Sequence, residues 1–133
     1  MKVYLCGPIN ACTDEECRDW RQAAKRSLPN LRHIDPMARD YRGQEDVKYR
    51  EIVEEDKRDI DECDCLLVNY DKPSVGTSME ILYAWQQQKP IIVVAIPGTR
   101  ISPWLRYHAT QFLPTFQAAF RMLESLAGCH DRR

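Results

Sequence analysis

Two short apolar runs constrain the fold of this chain more than any other feature of its sequence. Residues 65–70 (CLLVNY) and 91–96 (IIVVAI) are rich in β-branched side chains and nearly continuous in their apolar character. Such runs are typical of parallel strands that are covered on both faces, because those strands have no side that faces solvent. Residues 2–6 predict a third strand, and residues 31–34 predict a weaker one.

Helical patterns fill the intervals between these strands. The four predicted helices are residues 13–28 with Thr13 as the N-cap, 46–63, 76–88 before Pro90, and 114–127 with Gly128 as the stop. This alternation predicts an α/β three-layer sandwich with a mostly parallel sheet, and right-handed crossovers favour a flavodoxin-like (Rossmann-like) strand order. Ligands in such folds bind beyond the carboxyl ends of the strands, so functional residues should follow Cys6, Ile34, Tyr70 and Ile96.

Length and composition narrow the class of protein. The 133 residues fit a single domain spanning 1–133, and a formal net charge of −1 argues against a nucleic acid polymer or an anionic membrane as partner. The chain has no apolar stretch near the roughly 18 residues that span a bilayer and no leader-like segment, so we expect a cytoplasmic protein. The six cysteines contain no C-x-x-C spacing and the histidines are scattered, which predicts reduced thiols and no metal site. Nothing in the sequence predicts a cofactor.

A carboxylate interrupts the apolar stripe of the second predicted helix. At helical spacing the stripe should be apolar throughout, but Asp56 occupies one of its positions among Tyr49, Ile52, Val53, Ile60 and Cys63. A carboxylate on a buried stripe is costly unless it is paired or lines a cavity, so Asp56 is a candidate functional residue. The alternative is a carboxylate bonded to loop amides. The neighbouring acids, including Glu55 and Asp59, lie off the stripe and are predicted to face solvent.

A second carboxylate, Glu80, lies among residues predicted to be buried, at the end of the run PSVGTSME (73–80). The spacing Thr77-x-x-Glu80 fits a capping box, in which Glu80 would bond back to the Thr77 amide. The same turn also suits an anion. Ser74 and Ser78 supply hydroxyls, Gly76 lets the backbone come close, and a helix start offers free N–H groups.

Taken together, residues 4–8 (YLCGP), Asp56, Asp64 and residues 73–81 (PSVGTSMEI) resemble the nucleoside 2-deoxyribosyltransferase family, which includes the 2'-deoxynucleoside 5'-monophosphate N-hydrolases. The resemblance runs from about residue 3 to residue 108. It implies a flavodoxin-like fold and a double displacement in which Glu80 attacks the anomeric carbon, the base leaves, and water or a second base resolves the glycosyl-enzyme. It also implies that Asp56 contacts the sugar and takes part in proton transfer, and that Tyr4 orients the nucleophile. Tyr4 could equally be a plain core residue.

The resemblance places the base pocket in the loops after the first two strands, which here contain Pro8, Ile9 and Asn10, then Pro36, Met37 and Arg39, and Gly7 is a further candidate for substrate binding. It further implies active sites shared between subunits of a homodimer or a higher homo-oligomer, with Ser102 or His108 supplied by the neighbour. The same stretch could instead be a short helix with Ser102 as N-cap and Pro103 at its first position. Trp20 and Trp85 are predicted to be core residues.

Ser74 bears on the choice of substrate. Transferases of the family that act on free nucleosides usually have an aspartate at this position, where it binds the sugar 5'-hydroxyl. A carboxylate there would repel a 5'-phosphate, whereas a serine beside free N–H groups, with Gly76, Thr77 and Ser78, would accept one. We therefore expect cleavage of the N-glycosidic bond of a small molecule, a (2'-deoxy)nucleoside 5'-monophosphate.

Two other functions stay open: a deoxyribosyltransferase that exchanges bases on free deoxynucleosides, and a non-enzymatic nucleotide-binding module. The first loop has no basic residue before Arg18, which leaves Arg39, Arg42 or a neighbour's Arg106 as candidate phosphate ligands.

Overall fold

The computed structural model describes residues 1–132 and shows one all-parallel sheet of five strands. The strands are β1 (Lys2–Cys6), β2 (Arg32–Ile34), β3 (Cys65–Asn69), β4 (Ile91–Val94) and β5 (Gln111–Leu113). Their order across the sheet is β2-β1-β3-β4-β5, which is the flavodoxin-like order. The predicted α/β, flavodoxin-like architecture is therefore confirmed.

Helices cover both faces of this sheet. They are α1 (Asp14–Ser27), α2 (Tyr49–Glu62), α3 (Val75–Gln86), α4 (Pro103–His108) and α5 (Phe116–Asp131), and a short 3₁₀ helix (Pro36–Ala38) follows β2. Alternate residues of β1 face opposite sides, so Val3 and Leu5 pack in one core with α1 and α5, while Tyr4 and Cys6 pack in the other with α2, α3 and α4. The result is three layers with two cores.

The ends of several elements differ from the sequence prediction. The last helix begins at Phe116 rather than at Pro114, because the Thr115 side chain accepts from the Ala118 amide and caps it. That helix also continues through Gly128 to Asp131, so the predicted stop at Gly128 is wrong. The second helix begins at Tyr49, after turns over residues 44–47. Strand β5 was not predicted; it has only three residues and pairs at the edge of the sheet with β4.

Two predicted core tryptophans have different environments. Trp20 is buried against α5 and stacks on Phe116, as expected. Trp85 is 41% exposed and packs against Tyr107 and His108 of α4, so its assignment to the core is wrong. Met79, which looked buried in the sequence, is 67% exposed on the same surface.

The cysteines are free thiols, and Cys6, Cys63 and Cys65 are buried as predicted. Within residues 1–132, no group of three or more His, Cys, Asp or Glu side chains could hold a metal ion. Over the same residues, no helix is both long enough and apolar enough to cross a membrane.

Candidate active site

A cavity of about 240 Å³ opens beyond the carboxyl ends of the first three strands. It lies where ligands bind in folds of this kind. Nine of the residues that the sequence singled out line it: Gly7, Ile9, Asn10, Met37, Asp56, Ser74, Gly76, Thr77 and Glu80. The two anomalous carboxylates therefore converge on one cavity.

Glu80 projects from α3 into this cavity and is not a capping residue. The N-cap of α3 is Ser74, whose hydroxyl accepts from the Thr77 amide at 3.3 Å. Thr77 thus lies inside the helix and Glu80 lies a further turn along it, out of reach of the helix start. The capping-box interpretation is wrong, and the carboxylate of Glu80 instead accepts a hydrogen bond from the hydroxyl of Tyr4.

Tyr4 is both a core residue and the partner of Glu80. It lies on β1 with no exposed surface, and its hydroxyl donates to Glu80, which lines the cavity. Burial, together with the charges of Glu80 and Asp56, raises the pKa of Tyr4 well above its usual range. The phenol therefore stays protonated and acts as a fixed hydrogen-bond donor.

The two carboxyl groups have unusually high proton affinity. Burial, reinforced by the charge of Asp56, raises the pKa of Glu80 to about 8, while the hydrogen bond from Tyr4 opposes this rise. Burial also raises the pKa of Asp56 to about 6, and the nearby guanidinium of Arg39 opposes that rise. Between pH 6 and pH 8 the pair therefore holds one proton.

Arg39 joins the loop after the 3₁₀ helix to α2. Its guanidinium lies 2.8 Å from Glu55 and 3.4 Å from Asp56, and it also bonds Asp59. The prediction that Glu55 and Asp59 simply face solvent is therefore wrong. These bonds tie the loop to α2. The three carboxylates also neutralise the positive charge of Arg39, so its attraction for an anionic ligand is weak.

Arg42, the second arginine of the cavity, is bound in a similar way. It donates to Asp40 in its own loop at 2.7 Å and pairs with Asp14 at the start of α1. The loop is thus tied to α1 on one side and to α2 on the other. Like Arg39, Arg42 already has carboxylate partners.

Sequence reasoning missed an aromatic and aliphatic part of the cavity wall. It consists of Tyr41 from the loop and of the first turns of α2, with Tyr49, Ile52 and Val53. Tyr49 and Val53 are 60% and 48% exposed, so this half of the apolar stripe lines the cavity rather than the core. A stripe at helical spacing identifies a buried or ligand-facing side but cannot tell one from the other.

Three predicted site residues lie elsewhere in the chain. Ser102 caps α4 by accepting from the Leu105 amide at 3.3 Å, so the short-helix alternative is correct. His108 is buried at the end of α4, with Nδ1 2.6 Å from the Trp104 carbonyl oxygen. Both residues line a separate cavity of about 210 Å³ together with Ser78. Within one chain, the structure does not bring Ser78, Ser102 or His108 to Glu80.

Comparison with known protein families shows which family the chain belongs to. The family model described as nucleoside 2-deoxyribosyltransferase matches residues 3–102, which is most of the chain. The chain belongs to the nucleoside 2-deoxyribosyltransferase family. Members of this family are glycosyl transferases or N-glycosidases that act on nucleosides or nucleotides.

Solved structures agree with this assignment in their fold. A 2-deoxyribosyltransferase from Bacillus psychrosaccharolyticus superposes with a TM-score of 0.73 at 15% identity, covering 90% of each chain. The CMP N-glycosidase BcmB from Clostridium botulinum gives a TM-score of 0.62 at 17% identity, covering 93% of this chain and 99% of that one. At such identities the likeness shows the shared fold of the deoxyribosyltransferase family. A direct sequence search of curated proteins found no significant match.

Proposed function

We propose that this deoxyribosyltransferase-family chain hydrolyses the N-glycosidic bond of a (2'-deoxy)nucleoside 5'-monophosphate through a covalent glycosyl-enzyme on Glu80. The observation that carries the proposal is the convergence of Glu80 and Asp56 on one cavity, with Tyr4 bonded to Glu80. Glycosidic cleavage through a covalent intermediate typically uses two carboxyl groups beside the sugar, one as the nucleophile and one as the acid and base.

The first step uses both carboxyl groups. A carboxylate oxygen of Glu80 attacks the anomeric carbon and forms a C–O bond, while the C–N bond breaks and its electron pair leaves with the base. Asp56 donates a proton to the departing base, either directly or through a water molecule. Tyr4 donates to one oxygen of Glu80 and so leaves the other oxygen free to attack.

The second step reverses these roles. Water attacks the anomeric carbon, Asp56 accepts a proton from that water, and the bond to Glu80 breaks to restore the carboxylate. Between pH 6 and pH 8 the higher pKa of Glu80 places the single proton of the pair on Glu80, so this proton must pass to Asp56 before Glu80 can attack. Positive charge that develops on the sugar favours the ionised form of Glu80 and leaves the proton for Asp56.

The start of α3 supports a phosphate on the substrate. The first amides of a helix have no acceptor inside it, and here they belong to Val75 and Gly76. A Cβ placed on Gly76 would meet no atom within 4 Å, so there is room for a ligand against this backbone. The buried hydroxyl of Thr77 has no hydrogen-bond partner among residues 1–132 and lines the same cavity. A 5'-phosphate beside Ser74 would use these donors.

The alternative substrate is a free deoxynucleoside, with transfer of the sugar to a second base. One observation favours it: Arg39 and Arg42 are both bound to carboxylates, so neither offers an unpaired charge to a phosphate. Under this alternative Ser74 would meet the 5'-hydroxyl, and the chemistry at Glu80 would be unchanged.

We also infer that the chain works as a homodimer or a higher homo-oligomer. Trp104 and Tyr107 of α4 are 73% and 71% exposed, and Met79 of α3 extends the same apolar surface. A surface of this kind is typical of a protein–protein contact. A second copy bound to this surface would cover Ser102 and His108. The family resemblance implies that one subunit supplies one of these residues to the active site of its neighbour.

A substrate panel tests the proposal. Wild-type protein is incubated with matched pairs of nucleosides and 5'-monophosphates, with and without a free acceptor base, and base release is followed by chromatography. The proposal expects base release from a monophosphate at a rate that an acceptor base does not change. Sugar transfer from a free nucleoside would favour the alternative, and no release from any substrate would contradict both.

A further inference from the structure

The guanidinium of Arg21 on α1 is fully buried, although neither step of the proposed reaction uses it. A buried charge is very costly unless its donors are satisfied. Here Nη1 donates to the Cys17 carbonyl at 2.6 Å, Nη2 to the Gly7 carbonyl at 3.2 Å, and Nε to the Leu5 carbonyl at 3.4 Å. The group also stacks on Trp20, 4.6 Å from the ring centroid.

Two of these bonds fix the point at which β1 leaves the sheet. Leu5 belongs to β1, and Gly7 is the first cavity-lining residue after the strand. The packing is tight, because a Cβ on Gly7 would lie 2.9 Å from Cζ2 of Trp20. Arg21 and Trp20 together therefore hold the first wall of the cavity against α1.

The same guanidinium contacts the second wall through Asp35. Its Nε lies 3.6 Å from Oδ1 of Asp35, at the end of β2. The Asp35 carboxylate accepts from the Met37 amide at 2.8 Å, and Met37 lines the cavity. Lys25 binds the other oxygen of Asp35 at 2.7 Å. One buried side chain thus connects the two loops expected to hold the base.

We propose that Arg21 is a positioning residue of the active site, which sets the spacing of the two cavity walls and places a buried positive charge beside the cavity. The proposal rests on the function proposed above for Glu80. Supporting it, the positive charge of Arg21 lowers the pKa of Glu80 against the stronger effect of burial. A planar guanidinium suits this role, because it donates in several fixed directions where an ammonium cannot.

The titratable groups that interact with Glu80 lie on β1, α1 and α2. They are the uncharged Tyr4 and Cys6 and the charged Asp56, Asp59 and Arg21, while Arg39 in the loop after the 3₁₀ helix pairs with both aspartates. The two aspartates oppose ionisation of Glu80, and Arg39 is bound to those aspartates. Apart from the hydrogen bond of Tyr4, Arg21 is therefore the main group that favours the Glu80 anion.

Three variants test this role in the intact protein. Arg21→Lys keeps the charge but loses the planar guanidinium that bonds both cavity loops. Because the loops would then be misplaced, kcat/KM should fall about tenfold or more, while the pH limits of activity should stay unchanged. Arg21→Gln loses the charge as well, so the alkaline limit, which the pKa of Glu80 sets, should move to higher pH by about half a unit or more. Arg18→Gln, on the exposed side of the same helix and bonded only to Asp19, should match wild type.

Two outcomes would overturn the proposal. One is a folded Arg21→Lys protein whose kcat/KM stays within about threefold of wild type, even if its melting temperature falls. The other is a folded Arg21→Gln protein with an unmoved alkaline limit. If Arg21→Gln does not fold, the kinetics of Arg21→Lys decide.

A substrate-free measurement separates this proposal from the proposed function. Carbon-13 NMR titration of the Glu80 carboxyl group should show a higher pKa in Arg21→Gln than in wild type. An unchanged Glu80 pKa would contradict the charge role whether or not the protein is active. Absence of base release by wild-type protein would count against the proposed function alone.

Discussion

The hydroxyl of Tyr4 on β1 donates a hydrogen bond to the carboxylate of Glu80 on α3, and so joins a central strand to the helix that crosses its end. Neither residue could be recognised as the partner of the other from its own surroundings in the sequence. The bond fixes one carboxylate oxygen and favours the anion, and it leaves the second oxygen without this donor.

Loss of this bond should impair the reaction without unfolding the protein. Tyr4→Phe keeps the buried ring but removes the donor, so kcat should fall by roughly tenfold or more. Because the bond lowers the pKa of Glu80, its loss should also raise that pKa and move the alkaline limit of activity upwards. Tyr83→Phe is the matched control, since the Tyr83 hydroxyl bonds Asp61 and Tyr83 does not line the cavity. Equal losses in the two variants would count against a specific role for Tyr4.

The pH profile of kcat/KM should be bell-shaped. The active form carries one proton on the Glu80–Asp56 pair, so activity should fall below about pH 6, where the pair gains a second proton, and above about pH 8, where it loses the last. Initial rates between pH 5 and pH 9 in constant-ionic-strength buffers would measure both limits. A profile that stays flat across this range would contradict the shared proton.

Asp56→Asn should cut turnover by about 10²–10⁴-fold, which is the usual contribution of a general acid or base. The loss should be smaller for a substrate whose base leaves readily without protonation, because Asp56 acts on the leaving group. Comparison of the two substrates in wild type and variant measures this difference. The same fold-loss for both would show that Asp56 acts only in binding.

Glu80→Gln should be inactive yet more stable than wild type at alkaline pH. The folded pKa of Glu80 is raised from 4.5 to about 8, so the folded state binds more protons than the unfolded state in this window, and wild-type stability falls as pH rises through it. Glutamine keeps the oxygen that accepts from Tyr4 and removes this loss. The gain above pH 8 should reach at most about 5 kcal/mol, since the pKa rises by about 3.5 units and each unit corresponds to about 1.4 kcal/mol, and it should vanish near pH 4. Urea unfolding at several pH values measures the difference in free energy of unfolding between variant and wild type. A difference of zero, or one that does not change with pH, would contradict this prediction.

Ser74→Asp should change which substrate is preferred. Aspartate is also a good N-cap, so α3 should remain intact while a negative charge enters the phosphate region. Cleavage of a monophosphate should fall by about tenfold or more relative to the matching nucleoside. Ser78→Asp adds the same charge on the same helix but outside the cavity, and should leave the ratio unchanged. If wild type and Ser74→Asp cleave the monophosphate and the nucleoside in a similar ratio, the phosphate does not bind beside Ser74.

The sequence predicted the centre of the fold better than its edges. The strands β1, β3 and β4 are buried on both faces, so their apolar runs identify them directly. The edge strand β5 has three residues and begins with an exposed glutamine, so only its pairing with β4 defines it. Stability at such an edge comes from backbone pairing and tertiary packing, which a local pattern does not record.

The candidate site was predictable where a residue broke a pattern. Asp56 stood on an apolar stripe, and Glu80 stood among apolar residues, so both were conspicuous. Tyr49 and Val53 fit the apolar pattern, which predicts core residues, although they line the cavity. The bonds of Arg39 to α2 and of Arg21 to two loops join segments far apart in the chain, so no local spacing could indicate them.

The most direct test of the central claim is to trap the intermediate. Wild-type protein is mixed with a cleavable substrate, quenched in acid during turnover, digested, and analysed by peptide mass spectrometry, with Glu80→Gln treated in parallel. We expect the added mass of the sugar, or sugar phosphate, on the peptide that contains Glu80, with fragmentation placing it on that side chain, and no adduct in the variant. Steady turnover with no adduct, or an adduct on another residue, would contradict Glu80 as the nucleophile.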